Sequence, residues 1–251
     1  MDVCKITKEE QKEMFDTFKE TLARYKFDWI MLRSIMVSTR AVISGSTALA
    51  ILLGGEFVPQ DLDIYINAKG FAAMLVFLMD HGYQVVKLQL QYALEKEYPD
   101  STIILTLKCN SEGEKIDLIG TTKVHVLTTI TQFHSTAAMN YIAFYGIVSL
   151  YLEWTMQKKG LVTRRNIPYM ILNKYQGCGF KMAYTSAELD NSKDHDCSKH
   201  IHCLRTKREL QDGLSLFIPF DDRVTDIREF ETKEKMKMPW MLRDVRECRK
   251  M

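Results

Sequence analysis

Residues 43–66, ISGSTALAILLGGEFVPQDLDIYI, constrain the fold more than any other stretch of the chain. Ala41 to Ser44 reads as a short buried strand, Gly45-Ser46 as a turn, and Thr47 to Leu53 as a helix stopped by Gly54-Gly55. Asp61 to Asn67 then alternates polar and apolar residues as a strand does, which puts Asp61, Asp63 and Tyr65 on one face. Leu62, Ile64 and Ile66 take the other face, toward a core. Two carboxylates two residues apart repel each other, and Asp is a poor strand former. A hard cation shared with phosphate oxygens removes that penalty, as Mg²⁺ does when carboxylates hold it. The alternative is a solvated strand edge carrying two incidental acids.

Glycine lets a backbone approach a ligand closely, and the first-turn amides of a helix are outward-facing donors that favour an anion. Gly45 and Ser46 are therefore candidate phosphate contacts. The plain alternative is that Ser46 or Thr47 caps the helix. Asp117, in Glu114-Lys115-Ile116-Asp117-Leu118-Ile119, lies inside an apolar strand where an isolated carboxylate is costly. A neighbouring strand could bring it to Asp61 and Asp63 as a third metal ligand that helps deprotonate an attacking hydroxyl, or it could be an ordinary edge-strand acid.

Around this centre the pattern predicts an α/β (α+β) fold, a mixed β-sheet head flanked by helices, with a mostly helical C-terminal extension. Three regions are expected: N-terminal helices over 1–40 packed on the head, the head over 41–150, and the extension over 151–251. Met14, Phe15, Phe18, Leu22 and Tyr25 recur at helical spacing. Phe71 to Asp80 reads as helix; Tyr83 to Leu88, Thr102 to Cys109 and Lys115 to Ile119 read as strands, with turns at Pro99-Asp100 and Asn110 to Gly113. Val124 to Phe133 is expected to be helical. Met139 to Leu152 fits strand or helix, Ile167 to Tyr175 helix, Phe180 to Tyr184 strand, and Ala187 to Lys199 an exposed loop. Phe230, Trp240 and Leu242 are expected docking points in a charged tail.

Strand, Gly-Ser, helix, Asp-x-Asp on the next strand and a later strand Asp together resemble the DNA polymerase beta-like nucleotidyltransferases. Ser44-Gly45-Ser46-Thr47-Ala48-Leu49 is further similar to the Gly-Gly-Thr-Ala-Leu start of nucleotidyltransferase-like toxins from bacterial abortive-infection systems, and to a set of fungal proteins with the same head. The resemblance covers about 41–120. It implies that Gly45 and Ser46 contact the triphosphate of an NTP. It also implies that Asp61 and Asp63 hold Mg²⁺ or Mn²⁺, and that Asp117 assists the metal and activates the acceptor. The implied reaction is transfer of a nucleoside monophosphate to an acceptor hydroxyl on RNA, protein or a small molecule. The chain departs from the pattern in two ways: 14 residues separate Ser46 from Asp61, and no arginine follows Gly-Ser closely.

Lys158, Lys159, Arg164, Arg165 and Lys174 form a stretch with no acid between Lys158 and Lys174. Lys158, Lys159 and Arg164 are candidate nucleotide-binding residues; the stretch could equally track RNA or be a solvated face. His134 is a candidate substrate contact or a structural histidine. Cys178, His195, Cys197, His200, His202 and Cys203 could supply zinc ligands, although their spacing matches no familiar finger. Arg205, Arg208 and Asp212-Gly213 are expected to help pack the last segment.

The formal net charge of +2 excludes an argument for nucleic-acid binding from overall charge. No G-x-x-x-x-G-K-[ST] or G-x-G-x-x-G occurs, which argues against a P-loop enzyme and a dinucleotide-binding dehydrogenase. The charged N-terminus, irregular cysteine spacing and lack of a long apolar run lead to the expectation of a soluble intracellular protein with reduced thiols. Two other functional readings stand beside the enzyme: a catalytically silent nucleotide-binding descendant, and an RNA or protein adaptor acting through the basic stretch.

Overall fold

The computed structural model describes residues 6–90, 101–109, 113–164, 167–190, 203, 206–210, 212, 214–221 and 239–242. Helices α1 (Lys8–Arg24) and α2 (Trp29–Thr39) come first. The start of α1 is fixed by a capping box, in which the Thr7 hydroxyl accepts from the Glu10 amide and the Glu10 carboxylate accepts from the Thr7 amide. Asp28 caps α2 in the simpler way, accepting from the Ile30 and Met31 amides.

The head follows as β1 (Val42–Ser44), α3 (Gly45–Leu52), β2 (Asp61–Asn67), α4 (Ala68–Asp80), β3 (Gln84–Leu90), β4 (Ser101–Lys108) and β5 (Lys115–Thr121). A four-residue α5 (Leu127–Ile130) and a 3-10 turn (Thr136–Ala138) lead into β6 (Asn140–Ala143) and β7 (Gly146–Ser149). The remainder comprises α6 (Leu152–Met156), β8 (Lys159–Leu161), α7 (Tyr169–Gly177), β9 (Lys181–Ala183), α8 (Ser186–Leu189) and β10 (Leu216–Pro219).

Eight strands form one mixed sheet in the order β10-β7-β6-β1-β2-β5-β4-β3, in which only β2 and β5 run parallel. β8 and β9 form a separate parallel pair. The core is continuous from α1 through the sheet, and Leu62, Ile64 and Ile66 are buried in it as the alternation in β2 requires. Helix α3 packs on β1 and β2, α4 packs on β2 and β5, and α1 lies against α3.

Two expectations change and one open reading is decided. Ser186–Leu189 forms α8 with Leu189 buried, where an exposed loop was expected from Ala187, and 191–199 lie outside the described residues. Residues 124–133 form only the short α5, because Val124, Val126, Thr128, Thr129, Ile130 and Thr131 are β-branched and lose side-chain freedom in a helix. Residues 139–152 resolve into the β6–β7 hairpin, whose strands are buried on both faces and so show no alternation in sequence. A Cβ on Gly146 would lie 2.3 Å from the Ile218 carbonyl oxygen, so the glycine is what lets β10 pair beside it.

Beyond residue 150 the described helical residues outnumber those in strands, but β10 rejoins the head's sheet. Phe220, just past β10, packs between the N-terminal helices, 4.8 Å between ring centroids from both Phe15 and Trp29. Trp240 and Leu242 are buried as expected of docking points, while Phe230 lies outside the described residues. Arg208, 1% exposed, holds this region together. It pairs with Asp212, donates to the Leu150 carbonyl at 3.1 Å, and lies over the Tyr151 and Trp240 rings. Among the described residues no helix is long and apolar enough to cross a membrane.

Removing the Arg208 guanidinium takes away the ion-pair partner of Asp212, which keeps the Glu209 and Leu214 amides, and the donor to the Leu150 carbonyl. Arg208→Ala should lower unfolding stability by about 3 kcal/mol, measured by urea denaturation; a loss under about 1 kcal/mol would show that the C-terminal segment is not anchored there.

Candidate active site

The acid cluster is a consequence of strand register. β1 pairs antiparallel with β2, setting Ser44 opposite Asp63, and β2 pairs parallel with β5, setting Asp63 beside Asp117 and Asp61 beside Lys115. Carboxylate oxygens of Asp61, Asp63 and Asp117 all come within 4.8 Å of one another. Thr106, opposite Asp117 on β4, donates its hydroxyl to Asp117 Oδ1 at 2.7 Å. The loop before Asp61 is clamped by Arg24, which donates to the Pro59 carbonyl and pairs with Glu114 at 2.8 Å.

Helix α3 starts two residues earlier than the sequence pattern suggests, at Gly45, and its N-cap Ser44 makes no side-chain capping bond. Ser44 instead donates to the Asn140 carbonyl at 2.5 Å. Ser46 is therefore a first-turn residue and not a cap, with its hydroxyl 3.5 Å from Asp61 Oδ1, while Thr47 donates to the Asp61 carbonyl at 3.0 Å. Gly45 has φ +68, and a Cβ there would fall 2.2 Å from Asp63 Oδ2. Backbone conformation and the nearness of the carboxylate both demand glycine.

Burial raises the Asp63 pKa well above the ordinary carboxylate range, and the charges of Asp61 and Asp117 raise it further. Burial works against the Lys115 ammonium, but hydrogen bonds to Asp61 and Asp117 outweigh it and hold its pKa above the ordinary lysine value. Its Nζ lies 2.9 Å from Asp61 and 2.9 Å from Asp117. Sequence reasoning passed over Lys115, although a period of two already places it beside Asp117 on β5.

A cleft of about 140 Å³ opens beside the acids, walled by Gly45, Ser46, Asp63, His134, Lys174 and Tyr175. His134 thus stands at the cleft; burial, then the charges of Arg164 and Lys174, push its pKa down to about 4, so the ring is neutral at pH 7. Burial and the charge of Asp63 raise the pKa of Tyr175. The other described candidate cations have partners of their own: Lys158 pairs with Glu56, Lys159 lies 3.3 Å from Asp190, and Arg164, close enough to act on His134, donates to the Gln132 carbonyl. Among the described residues of the basic stretch Lys174 is the one that lines the cleft; Arg165 lies outside them. Ile171, Lys174 and Tyr175 share one face of α7 at i, i+3 and i+4, a signal readable in the sequence once the helix is accepted. Of the possible zinc ligands, Cys178 and Cys203 are free thiols; His195, Cys197, His200 and His202 lie outside the described residues.

No protein-family model matches the sequence, and no curated protein matches it. Among solved structures, it is similar to a CCA-adding enzyme in apo form I, at 16% identity and TM-score 0.45 over 64% of this chain and 40% of that one. A CCA-adding enzyme in complex with CTP follows at 14% and 0.41, covering 59% of this chain and 37% of the other. The Thermotoga maritima CCA-adding enzyme complexed with tRNA gives 15% and 0.40, with 59% and 36% covered. This chain spans about two-fifths of the length of these proteins.

Two outcomes follow from the geometry. Gly45→Ala should cost about 2 kcal/mol or more of stability, since it adds left-handed strain to a clash with Asp63; a melting temperature within one degree of wild type would contradict the close approach. An acid with a raised folded-state pKa binds more protons folded than unfolded, so stability falls as pH rises above about 4. In metal-free buffer, Asp63→Asn should melt a few degrees higher than wild type at pH 7.5 and show a flatter pH dependence.

Proposed function

We propose that this protein is a divalent-metal-dependent nucleotidyltransferase that moves a nucleoside monophosphate from an NTP to an acceptor hydroxyl. One observation carries the reading: three carboxylates converge within 4.8 Å directly beside the uncapped first turn of α3. The donor set suits a hard cation, being all carboxylate oxygen. The Lys115 ammonium between Asp61 and Asp117 shows that the cluster accepts a positive charge, and the raised pKa of Asp63 is what a further cation would reverse.

Asp61, Asp63 and Asp117 would hold Mg²⁺ or Mn²⁺. Bound there, the metal supplies charge neutralisation at the α-phosphate and makes the acceptor hydroxyl more acidic. The first-turn amides at Gly45 and Ser46, with the Ser46 hydroxyl, hold terminal phosphate oxygens. Lys174, on the facing wall, adds a cation to the triphosphate, the part that Lys158, Lys159 and Arg164 were expected to play. The acceptor oxygen bonds to the α-phosphorus, the bond from that phosphorus to the bridging oxygen breaks, and pyrophosphate leaves. Asp117 takes the acceptor proton. Neutral His134 and Tyr175 present ring surface to the bound nucleotide.

A second reading draws on Lys115. With the Lys115 ammonium cancelling one of the two charges on Asp61 and Asp117, and Asp63 shifted toward its neutral form, the same cleft could bind nucleotide without metal and without turnover. Incubating the chain with each α-labelled NTP, Mg²⁺ or Mn²⁺, and pooled RNA or protein acceptors separates the two. Label transferred by wild type and abolished in Asp61→Ala/Asp63→Ala is expected and identifies the acceptor class. Metal-independent nucleotide binding in both proteins with no transfer by either would overturn the enzyme and leave the silent module.

Lys115→Met removes the competing cation. It should tighten Mn²⁺ binding about tenfold by calorimetry, a change of about 1.4 kcal/mol. Unchanged or weaker Mn²⁺ binding would mean that the ammonium and the metal occupy different ground.

A further inference from the structure

A second cavity, about 480 Å³, opens at the far ends of β2 and β5 from the acid cluster. Asn67, at its edge, is four residues along β2 from Asp63, or about 13 Å at strand rise. Arg40, Lys69, Lys123 and His125 line it, and no Asp or Glu does so among the described residues.

The fold, not chance exposure, assembles these groups. Arg40 closes α2 in the left-handed region at φ 58, and its guanidinium lies 5.0 Å from the Phe144 ring centroid. Lys69 is the second residue of α4, two positions after the N-cap Asn67. Asn67 also donates its side-chain amide to the Val124 carbonyl at 3.3 Å, which ties the loop carrying Lys123 and His125 to the same place.

In a chain of formal net charge only +2, three permanent cations and an imidazole around one cavity form a local positive field. Such a grouping is favourable around a multiply charged anion. Arg40 offers a planar fork to phosphate oxygens, and the two lysines offer point charges. The volume suits a small ligand.

We propose that this cavity is a second binding site, separate from the carboxylate cleft, for a small phosphate-bearing ligand of up to nucleotide size. The site does not depend on any reaction at Asp61, Asp63 and Asp117. It adds a place on the same two strands where an anion can bind without touching the acids.

The test is calorimetry on the full chain in low salt and EDTA, with inorganic pyrophosphate and AMP as probes. Wild type should bind at least one of them saturably. Lys69→Glu/Lys123→Glu should weaken that binding at least tenfold with an unchanged circular dichroism spectrum and melting temperature. Lys69→Gln/Lys123→Gln should weaken it less. Three results would overturn the assignment: no saturable binding; loss in Lys174→Ala but not in the Lys69/Lys123 pair; or tight binding of a single-stranded RNA oligonucleotide that needs Lys69 and Lys123 while pyrophosphate and AMP do not bind. The last would make the surface an RNA contact. Failure of nucleotidyl transfer in the labelling assay would leave these outcomes untouched, so the two readings stand or fall separately.

Discussion

Mutual repulsion of three carboxylates is the constraint around which this fold is organised. With oxygens within 4.8 Å, each ionised pair opposes folding by about 3–4 kcal/mol at an effective dielectric of 20. A lone hairpin would splay to escape that cost. Here the acids sit on β2 and β5, central strands of an eight-stranded sheet, with β1 and β4 outside them. Three devices offset what remains. Lys115 bridges two of the acids, Thr106 donates to Asp117, and Asp63 shifts toward its neutral form against the first turn of α3.

The same constraint explains the start of α3. The first turn of α3 lies directly against the Asp63 carboxyl and has no capping side chain. Gly45 is the only residue type that allows the approach. What looks from sequence like a phosphate-binding turn is, in the folded protein, a turn built against an acid. An incoming triphosphate must therefore bring or find positive charge before its oxygens can share that turn, which is why Lys174 on the opposite wall matters.

The centre was legible in the sequence because local rules governed it. The alternation of Asp61 to Asn67 and the apolar strand around Asp117 have periods that survive into the structure, as does the Gly-Ser step. Residues 139–152 were not legible, because strands buried on both faces lose the period that distinguishes them from helix. The 124–133 helix failed where β-branched residues outweighed an apolar pattern. The partners of the basic residues were not legible for a different reason. Whether Lys158 meets a triphosphate or Glu56 depends on a partner 102 positions away, and no spacing rule reports that. Lys174 differs because its neighbours on α7, Ile171 and Tyr175, share its face and carry it to the cleft.

Lys115 decides how the site is to be understood. An ammonium 2.9 Å from two carboxylates is a stable arrangement and also a displaceable one, since the side chain is one-third exposed and can swing into solvent. If a divalent ion outcompetes it, the lysine is a placeholder that keeps the acids from forcing β2 and β5 apart before substrate arrives, and its release couples metal entry to strand order. If it stays, Asp61 and Asp117 keep one net negative charge between them, half of what they would offer a divalent ion without the lysine, and Asp63 faces the α3 turn as a group that prefers to be neutral. Both outcomes use the same strands, register and glycine. The competition for two oxygens, not the fold, separates an enzyme from a binding module here.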